Sequence, residues 1–180
     1  MNKKLSILTA TLNSRAEIFK NLARVLKAQS NSDVEMLANC DNGEKSIGQK
    51  RNELLESSKG EYVVFVDDDD MVSPFYVFGI LQAIQSKPDC CGLEGIITQR
   101  NIGPKKFVHS LKYEDWFEKD DIYYRCPNHL NPIKREIALD AKFPDKSWQE
   151  DKDFSERLKG KLKTEVYISG PIYYYYPSMG

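Results

Sequence analysis

No apolar run in this chain of 180 residues approaches the ~20 needed to cross a bilayer. Cysteine is scarce: Cys40, Cys90, Cys91 and Cys126 are the four, and no Cys-x-x-Cys spacing occurs, which argues against a zinc site. Neither sign of charge is in excess. Lys plus Arg is 26 and Asp plus Glu is 27, a net charge of −1, which asks for no general nucleic-acid or membrane surface. The opening stretch MNKKLSILTATLNSR is too short in apolar residues, and too interrupted by Ser6, Thr9 and Thr11, for a signal peptide. It reads as a first strand, and a cytoplasmic protein with reduced thiols is expected. ATLNSRAEI, directly after that strand, has no glycine, so a Gly-rich phosphate loop of the nucleotidyltransferase kind is missing. Repeats, linkers and low-complexity segments are absent too.

What remains is a composition that folds: 41% hydrophobic and 29% charged, sized for one domain with a single core. Leu5 to Ala10 is a β-run. Ser14-Arg-Ala-Glu17 has the form of a capping box, and Ile18, Leu22, Val25 and Leu26 recur at helical spacing as far as Gln29. Val34 to Cys40 is a second strand, broken by Asp41-Asn42-Gly43, and Ser46 opens a helix that closes at Lys59-Gly60. Tyr62 to Val66 is continuously apolar, as in a parallel strand covered on both faces. Ser73-Pro74 then starts a helix running from Phe75 to about Gln85, and Leu93 to Thr98 is a fourth strand. Strand and helix alternate, so an α/β fold with a mostly parallel central sheet is expected. The second half is mixed. It has short strands at Phe107 to Ser110 and Ile122 to Tyr124, helices at Lys134 to Ala141 and Asp151 to Lys159, and strands at Thr164 to Ile168 and Ile172 to Tyr176 around Gly170-Pro171.

The segment EYVVFVDDDDMVSP sets four consecutive aspartates, Asp67 to Asp70, behind the most apolar strand. Two unit charges ~5 Å apart at an effective dielectric near 20 repel by roughly 3 kcal/mol, so a cation is required. Ligands of open α/β sheets bind outside the carboxyl ends of the strands, where this run lies. If strand geometry persists, Asp67 and Asp69 point the same way and offer hard oxygen ligands to Mg²⁺ or Mn²⁺. A solvated acidic turn whose last members cap the following helix fits the same residues. The position at a strand end favours the metal.

The sequence resembles the family 2 glycosyltransferases, nucleotide-sugar enzymes of GT-A fold. SKGEYVVFVDDDDMVSP is similar to their Asp-x-Asp segment, LSILTATLNSR to their opening strand, CDNG to the turn ending their second strand, and GQKRNELLESSKGEY to the helix bearing an Arg-Asn pair. IKREIALDAKFPDKSWQEDKDFSERLKG resembles their acceptor-side segment with its Glu-Asp pair. Together these run, in order, from about Leu5 to Gly160. The resemblance implies one GT-A-like domain over 1–180, with a nucleotide-sugar-binding half to about residue 100 and an acceptor-side half beyond it. It implies Asp69 as ligand of Mn²⁺ or Mg²⁺, and Asp67 and Asp68 toward the ribose and diphosphate. Asp41 is implied at the nucleobase, where a carboxylate suits the imide N–H of uracil; a plain Asp-Asn-Gly turn accounts for it equally. Thr11 and Asn13 match the first-strand motif, with Ala10 and Leu12 standing where the family has proline and tyrosine. Arg51 is implied on phosphate oxygens, against the plainer reading of a helix-surface partner for Glu53 and Glu56. Asp151 is implied as catalytic base, Glu150 in acceptor binding, and Trp148 stacked on an acceptor sugar or filling the core. His129 is either an acceptor or diphosphate contact or a structural histidine.

The implied activity is metal-dependent, inverting transfer of a sugar from a UDP-linked or other nucleotide-diphosphate donor to a saccharide, lipid or protein hydroxyl. A catalytically degenerate nucleotide-sugar-binding module is the alternative. The chain is short for the family, which makes a homo-oligomer that completes the acceptor site a further expectation.

Overall fold

The computed structural model describes residues 3–99 and 103–176. Its first third is the alternating unit that the apolar pattern predicts: β1 (Lys3–Leu12), α1 (Ala16–Gln29), β2 (Val34–Asp41), α2 (Ile47–Ser57) and β3 (Gly60–Phe65). The three strands are parallel in the order β2-β1-β3. Then come β4 (Met71–Val72), α3 (Tyr76–Ala83), β5 (Cys90–Gln99), β6 (Gly103–His109), β7 (Phe117–Lys119), β8 (Ile122–Arg125), β9 (Ile133–Lys134), α4 (Arg135–Ala141), α5 (Glu150–Leu158) and β10 (Glu165–Tyr175). One sheet takes in every strand among the described residues, in the order β2-β1-β3-β9-β5-β6-β8-β7, with β10 on β5 and on β4. Strands β1, β2, β3, β5 and β10 share one direction, and the antiparallel pairings are those of β9 on β3 and β5, β6 on β5, β7 on β8 and β4 on β10. The α/β fold with a mostly parallel sheet and a mixed second half is therefore the one found. The boundary drawn near residue 100 lies outside the described residues.

Period-two alternation along the central strands divides the core between the two sheet faces. Tyr62, Val64 and Val66 pack on one face with Leu22 and Leu26 of α1 and Tyr76, Val77 and Ile80 of α3. Val63 and Phe65 pack on the other with Leu54 and Leu55 of α2, Ala138 of α4, and Phe154 and Leu158 of α5. Cys91 and Cys90 fall on opposite faces by the same rule, and all four cysteines are free thiols.

Local chemistry corrects three expectations. Ser14 does not cap α1: the chain leaves β1 through a 3₁₀ turn over Asn13–Arg15, which places Ser14 inside the turn, and α1 starts without a side-chain cap. Ser46 does cap α2, its Oγ accepting the Gln49 N–H at 3.0 Å. The helix expected from Phe75 to Gln85 is α3 over Tyr76–Ala83 followed by a 3₁₀ turn at Ile84–Ser86. The two strands expected around Gly170-Pro171 are one, β10, because Gly170 takes φ 88° and register shifts on either side of Pro171 absorb the proline without ending the pairing on β5. Strand β7 has no apolar signature. Asp120 and Asp121, at φ 51° and 60°, form the two-residue turn that folds it onto β8.

The loop 144–149 joins the halves. Gly48 N–H donates to the Lys146 carbonyl at 3.1 Å, Ile47 N–H to Ser147 Oγ at 3.1 Å, and Ser46 Oγ–H to Asp145 Oδ1 at 2.6 Å. A Cβ on Gly48 would sit 1.9 Å from the Pro144 carbonyl oxygen, a backbone atom that cannot swing aside. Gly48→Ala gains about 1 kcal/mol of helix propensity, but overpacking at that distance costs up to about 3 kcal/mol. A net loss of about 2 kcal/mol is expected from the urea midpoint, and an unchanged midpoint would mean that α2 and the loop are not in contact.

Candidate active site

Strand geometry ends before the aspartates. Asp70 N–H donates back to the Asp67 carbonyl at 3.1 Å, closing a turn, and Met71–Val72 then pair antiparallel with β10. The expected shared direction of Asp67 and Asp69 is therefore not found, because a turn does not alternate its side chains. Asp68 and Asp69 are the ones that converge, both 2.7 Å from Arg15 Nη2. Asp68 also accepts the Thr11 hydroxyl at 2.5 Å. Asp67 faces the other way, 2.8 Å from Arg51 Nη2 and 3.3 Å from His129 Nε2. Asp70 is buried beneath the turn, accepting the Tyr173 hydroxyl at 2.6 Å and the Tyr176 N–H at 2.8 Å.

The cations that make the run tolerable come from the protein itself, and each carboxyl responds to its own surroundings. Burial pulls Asp67 upward, but Arg51 and then His129 outweigh it and hold the group well below the usual carboxylate range. Burial raises Asp68, against the Thr11 hydroxyl and Arg15. Asp70 is pushed up to about 8 by burial and next by Asp67, despite its two donors.

A cleft of about 850 Å³ opens at this end of the sheet. It brings together Thr11, Arg51, Asp67, Asp68, Asp69, Trp148, Glu150 and Asp151 of the residues expected from the sequence. Asn13 and Asp41 are not on its wall. Asn13 is exposed and bonds Asn42 at 2.7 Å. Asp41 accepts the Gly43 and Lys45 N–H groups of its own turn and pairs with buried Lys50 at 2.7 Å, Lys50 being the first cause of its depressed pKa. Lys50 also donates to the Thr11 carbonyl at 2.8 Å, so it ties β1 to β2.

Arg51 is not on a surface. Its side chain is 4% exposed, between Asp67 and Glu150, with Nη1 2.8 Å from Glu150 Oε1 and the guanidinium 5.6 Å and 5.4 Å from the Phe65 and Phe143 ring centres. Glu150 is thereby committed inside the protein. Asp151, the next residue, is half-buried on the cleft wall, accepts the Lys152 N–H at 2.8 Å, and has no cation within 4.0 Å among the described residues. Trp148 is 78% exposed at the rim. The arrangement can therefore offer a free carboxylate on one wall and a carboxylate turn on the other.

Several lining residues have no legible motif. Arg15, Trp116, Tyr123, Arg125 and Tyr175 are contributed by the 3₁₀ turn, by the residue before β7, by β8 and by β10. For Arg15 a signal existed, since it is the first cation after β1. His129 is 6% exposed, with Nδ1 lacking a partner. His109 is buried against Asn131 and pushed down to about 3 by burial, with Arg125 adding to it.

The sequence matches no protein-family model and no curated protein. Its fold does match solved structures. S. aureus TarS 1-349 aligns at TM-score 0.72 with 16% identity over 96% of this chain and 60% of that one. The chain has the TarS fold. The TarS 1-349 complex with UDP aligns at TM-score 0.73, with 17% identity over 97% of this chain and 61% of that one. The complex with UDP-GlcNAc aligns at 0.71, with 15% identity over 98% and 59%. This chain thus spans about 60% of the length of TarS 1-349. No helix among the described residues is long and apolar enough to cross a membrane.

Two tests follow from the buried charges. Arg51→Ala leaves buried Glu150 without its cation and Asp67 with His129 alone, and a loss of about 3–5 kcal/mol is expected in ligand-free urea unfolding; a purely phosphate-binding arginine would leave that value unchanged. Asp70 binds its proton up to about pH 8 in the folded state but only to about 3.9 when unfolded. The folded state therefore holds more protons in between, and this group's stabilisation, full below about pH 4, is lost as pH rises to 8. Asp70→Asn removes that dependence. The stability of the natural protein relative to Asp70→Asn should fall between pH 5 and 8 and then level off, and a flat difference would show that Asp70 is ionised throughout.

Proposed function

We propose that the chain is a nucleotide-sugar glycosyltransferase of the family 2 type. The observation that carries the proposal is that one cleft holds both the Asp67–Asp69 turn at the end of β3 and the unpaired carboxylate of Asp151 at the start of α5. Support comes from the fold, shared with TarS, a protein crystallised with UDP-GlcNAc and with UDP.

The donor half is the β1–β3 edge, with Thr11, Asp67, Asp68 and Asp69 toward the nucleotide sugar. Thr11 acts through its bond to Asp68, and Arg51 through Asp67, which it fixes in place. Asp41, off the cleft wall but bonded to the backbone N–H groups of Gly43 and Lys45 that do line it, is kept for the nucleobase, and Asn13 is kept for the nucleotide sugar without a place on the wall. A divalent cation fits the donor set only in part: Asp67 and Asp68 are taken by internal partners, and the described residues include no group of three metal-binding side chains. Asp69 faces one partner, Arg15, and Mg²⁺ or Mn²⁺ is commonly held by one or two carboxylates with phosphates and water completing the shell. Asp69 would hold such an ion, which when bound supplies neutralisation of the diphosphate's negative charge. Asp151 accepts the proton of an acceptor hydroxyl as its oxygen bonds to the anomeric carbon. The carbon–oxygen bond to the diphosphate breaks, the electron pair leaves with the nucleoside diphosphate, and attack from the opposite face inverts the configuration. Glu150 positions this wall through Arg51, and Trp148 offers an aromatic face to the acceptor at the rim.

Two substitutions separate the halves. Asp69→Ala is expected to abolish the Mn²⁺-dependent thermal shift given by UDP and to abolish transfer with it. Asp151→Asn should keep UDP binding within about twofold and lower turnover by a factor of about 10² to 10⁴. Full turnover in both variants overturns the assignment; UDP binding with no turnover over a broad acceptor panel favours the binding-module reading.

A further inference from the structure

The cations of the cleft can be paired off one by one. Arg15 is bound to Asp68 and Asp69, Arg51 to Asp67 and Glu150, Lys50 to Asp41, and Lys45 to Glu53 at 2.6 Å. Arg125 is left over. It ends β8, beside His109 in the sheet register, and its guanidinium lies 4.3 Å from the ring centre of Trp116. No carboxylate lies within 4.0 Å of it among the described residues, although it lines the same cleft. Burial lowers its pKa, and the carboxylate acting most strongly on it is Asp151, while none of the Asp67–Asp70 carboxyls is prominent. Trp116 adds a second donor at this corner, its indole N–H being buried and without an acceptor among the described residues.

A partly desolvated guanidinium without a counter-ion is unfavourable, because burial removes water that only an anion or several acceptors can replace. Stacking on an indole holds the planar fork in a fixed plane and leaves its N–H edge free to bind an oxyanion in two-point fashion. Asp151 lines the same cleft and lies beyond ion-pair distance, so the cleft presents a cation and a carboxylate, neither with an ion-pair partner among the described residues.

We propose that Arg125 is an acceptor-specificity residue that binds an anionic group, a phosphate or a carboxylate, carried by the acceptor close to the hydroxyl that faces Asp151. The proposal rests on the transferase reading for the acceptor's role, but not for anion binding itself. Charge on the acceptor would hold it on the second-half wall, away from the diphosphate and its aspartates, and place a neighbouring hydroxyl at the base. A neutral sugar of the same shape would lack that anchor.

The test uses the full chain and three hexoses: glucose 6-phosphate, glucuronate and glucose. Titration calorimetry is expected to show binding of one or both charged sugars and none of glucose, the phosphate and carboxylate arms separating the two sources. Arg125→Gln should weaken the charged sugar by about tenfold or more, as removal of a charged hydrogen-bond partner does, and leave UDP binding within about twofold. Arg125→Lys, which keeps the charge without the fork, should retain part of the affinity. The chain has two tryptophans, so Trp148→Phe protein reports Trp116 alone, and a saturable fluorescence change with the charged sugar but not with glucose reads the site without touching Arg125. Equal binding of glucose, or unchanged anion binding in Arg125→Gln, overturns the proposal. So does a matching loss of UDP affinity, which would put Arg125 on the donor side. Failure of UDP to bind any of these proteins counts against the transferase reading and leaves the anion result to stand by itself.

Discussion

The cleft depends on one guanidinium. Arg51 rises from α2 and is gripped by Asp67, at the end of β3, and by Glu150, at the start of α5. Two carboxylates from opposite walls are thereby held by a single planar fork, with Phe65 and Phe143 against it. Burial strengthens both ion pairs and makes loss of any member costly. This contact and the bonds between residues 46–48 and 145–147 tie the start of α5 to α2, while Phe154, stacked on Phe143, and Ser155, bonded to the Pro127 carbonyl, hold the rest of the helix. The start of α5 includes Asp151, one residue from the clamped glutamate.

Four successive aspartates persist because the fold separates them electrically. The turn sends Asp67 to Arg51 and His129, Asp68 and Asp69 to Arg15, and Asp70 into a buried pocket where a proton takes the place of a counter-ion. Of the four, Asp69 is engaged by the fewest internal partners, and this frees it for a ligand. Arg125 sits at the other extreme, a cation that the fold leaves without an internal carboxylate. One wall of the cleft therefore has its charges largely cancelled within the protein, and the other carries one charge of each sign with no ion-pair partner among the described residues.

Much of the fold was legible because burial imposes a period. The run from Tyr62 to Val66 could only be a strand covered on both faces, and alternation divides it between the two helical layers as expected. Ser46 was legible as a cap, since its hydroxyl meets an N–H three residues on. Ser14 carried the same local pattern, but the 3₁₀ turn that follows β1 moved it out of the capping position. Strand β7 was hidden by its shortness and its charged residues, its position being set by a turn, by pairing with β8 and by the stacking of Phe117 on Tyr124.

For the site, the aspartate run was expected from its place at a strand end, and Arg51 and the Glu150-Asp151 pair from the order of segments that resembles the family 2 glycosyltransferases; the fold brings all of them to one cleft. The division of labour within each set was decided by tertiary structure. Arg51 reads as a surface helix residue until residue 150, 99 positions later, closes on it. Glu150 and Asp151 are adjacent and chemically alike, yet one is clamped and the other open, because a helix turns successive residues about 100° apart. Which charges are cancelled and which stay available depends on distances between segments far apart in the chain, and no local pattern encodes them. The apolar pattern of the chain determined most of the elements and the residue types at the sheet's edge; the packing of α2 against the 144–149 loop and α5 decided which of those charges are cancelled inside the protein, because ion pairs need atoms within a few ångströms.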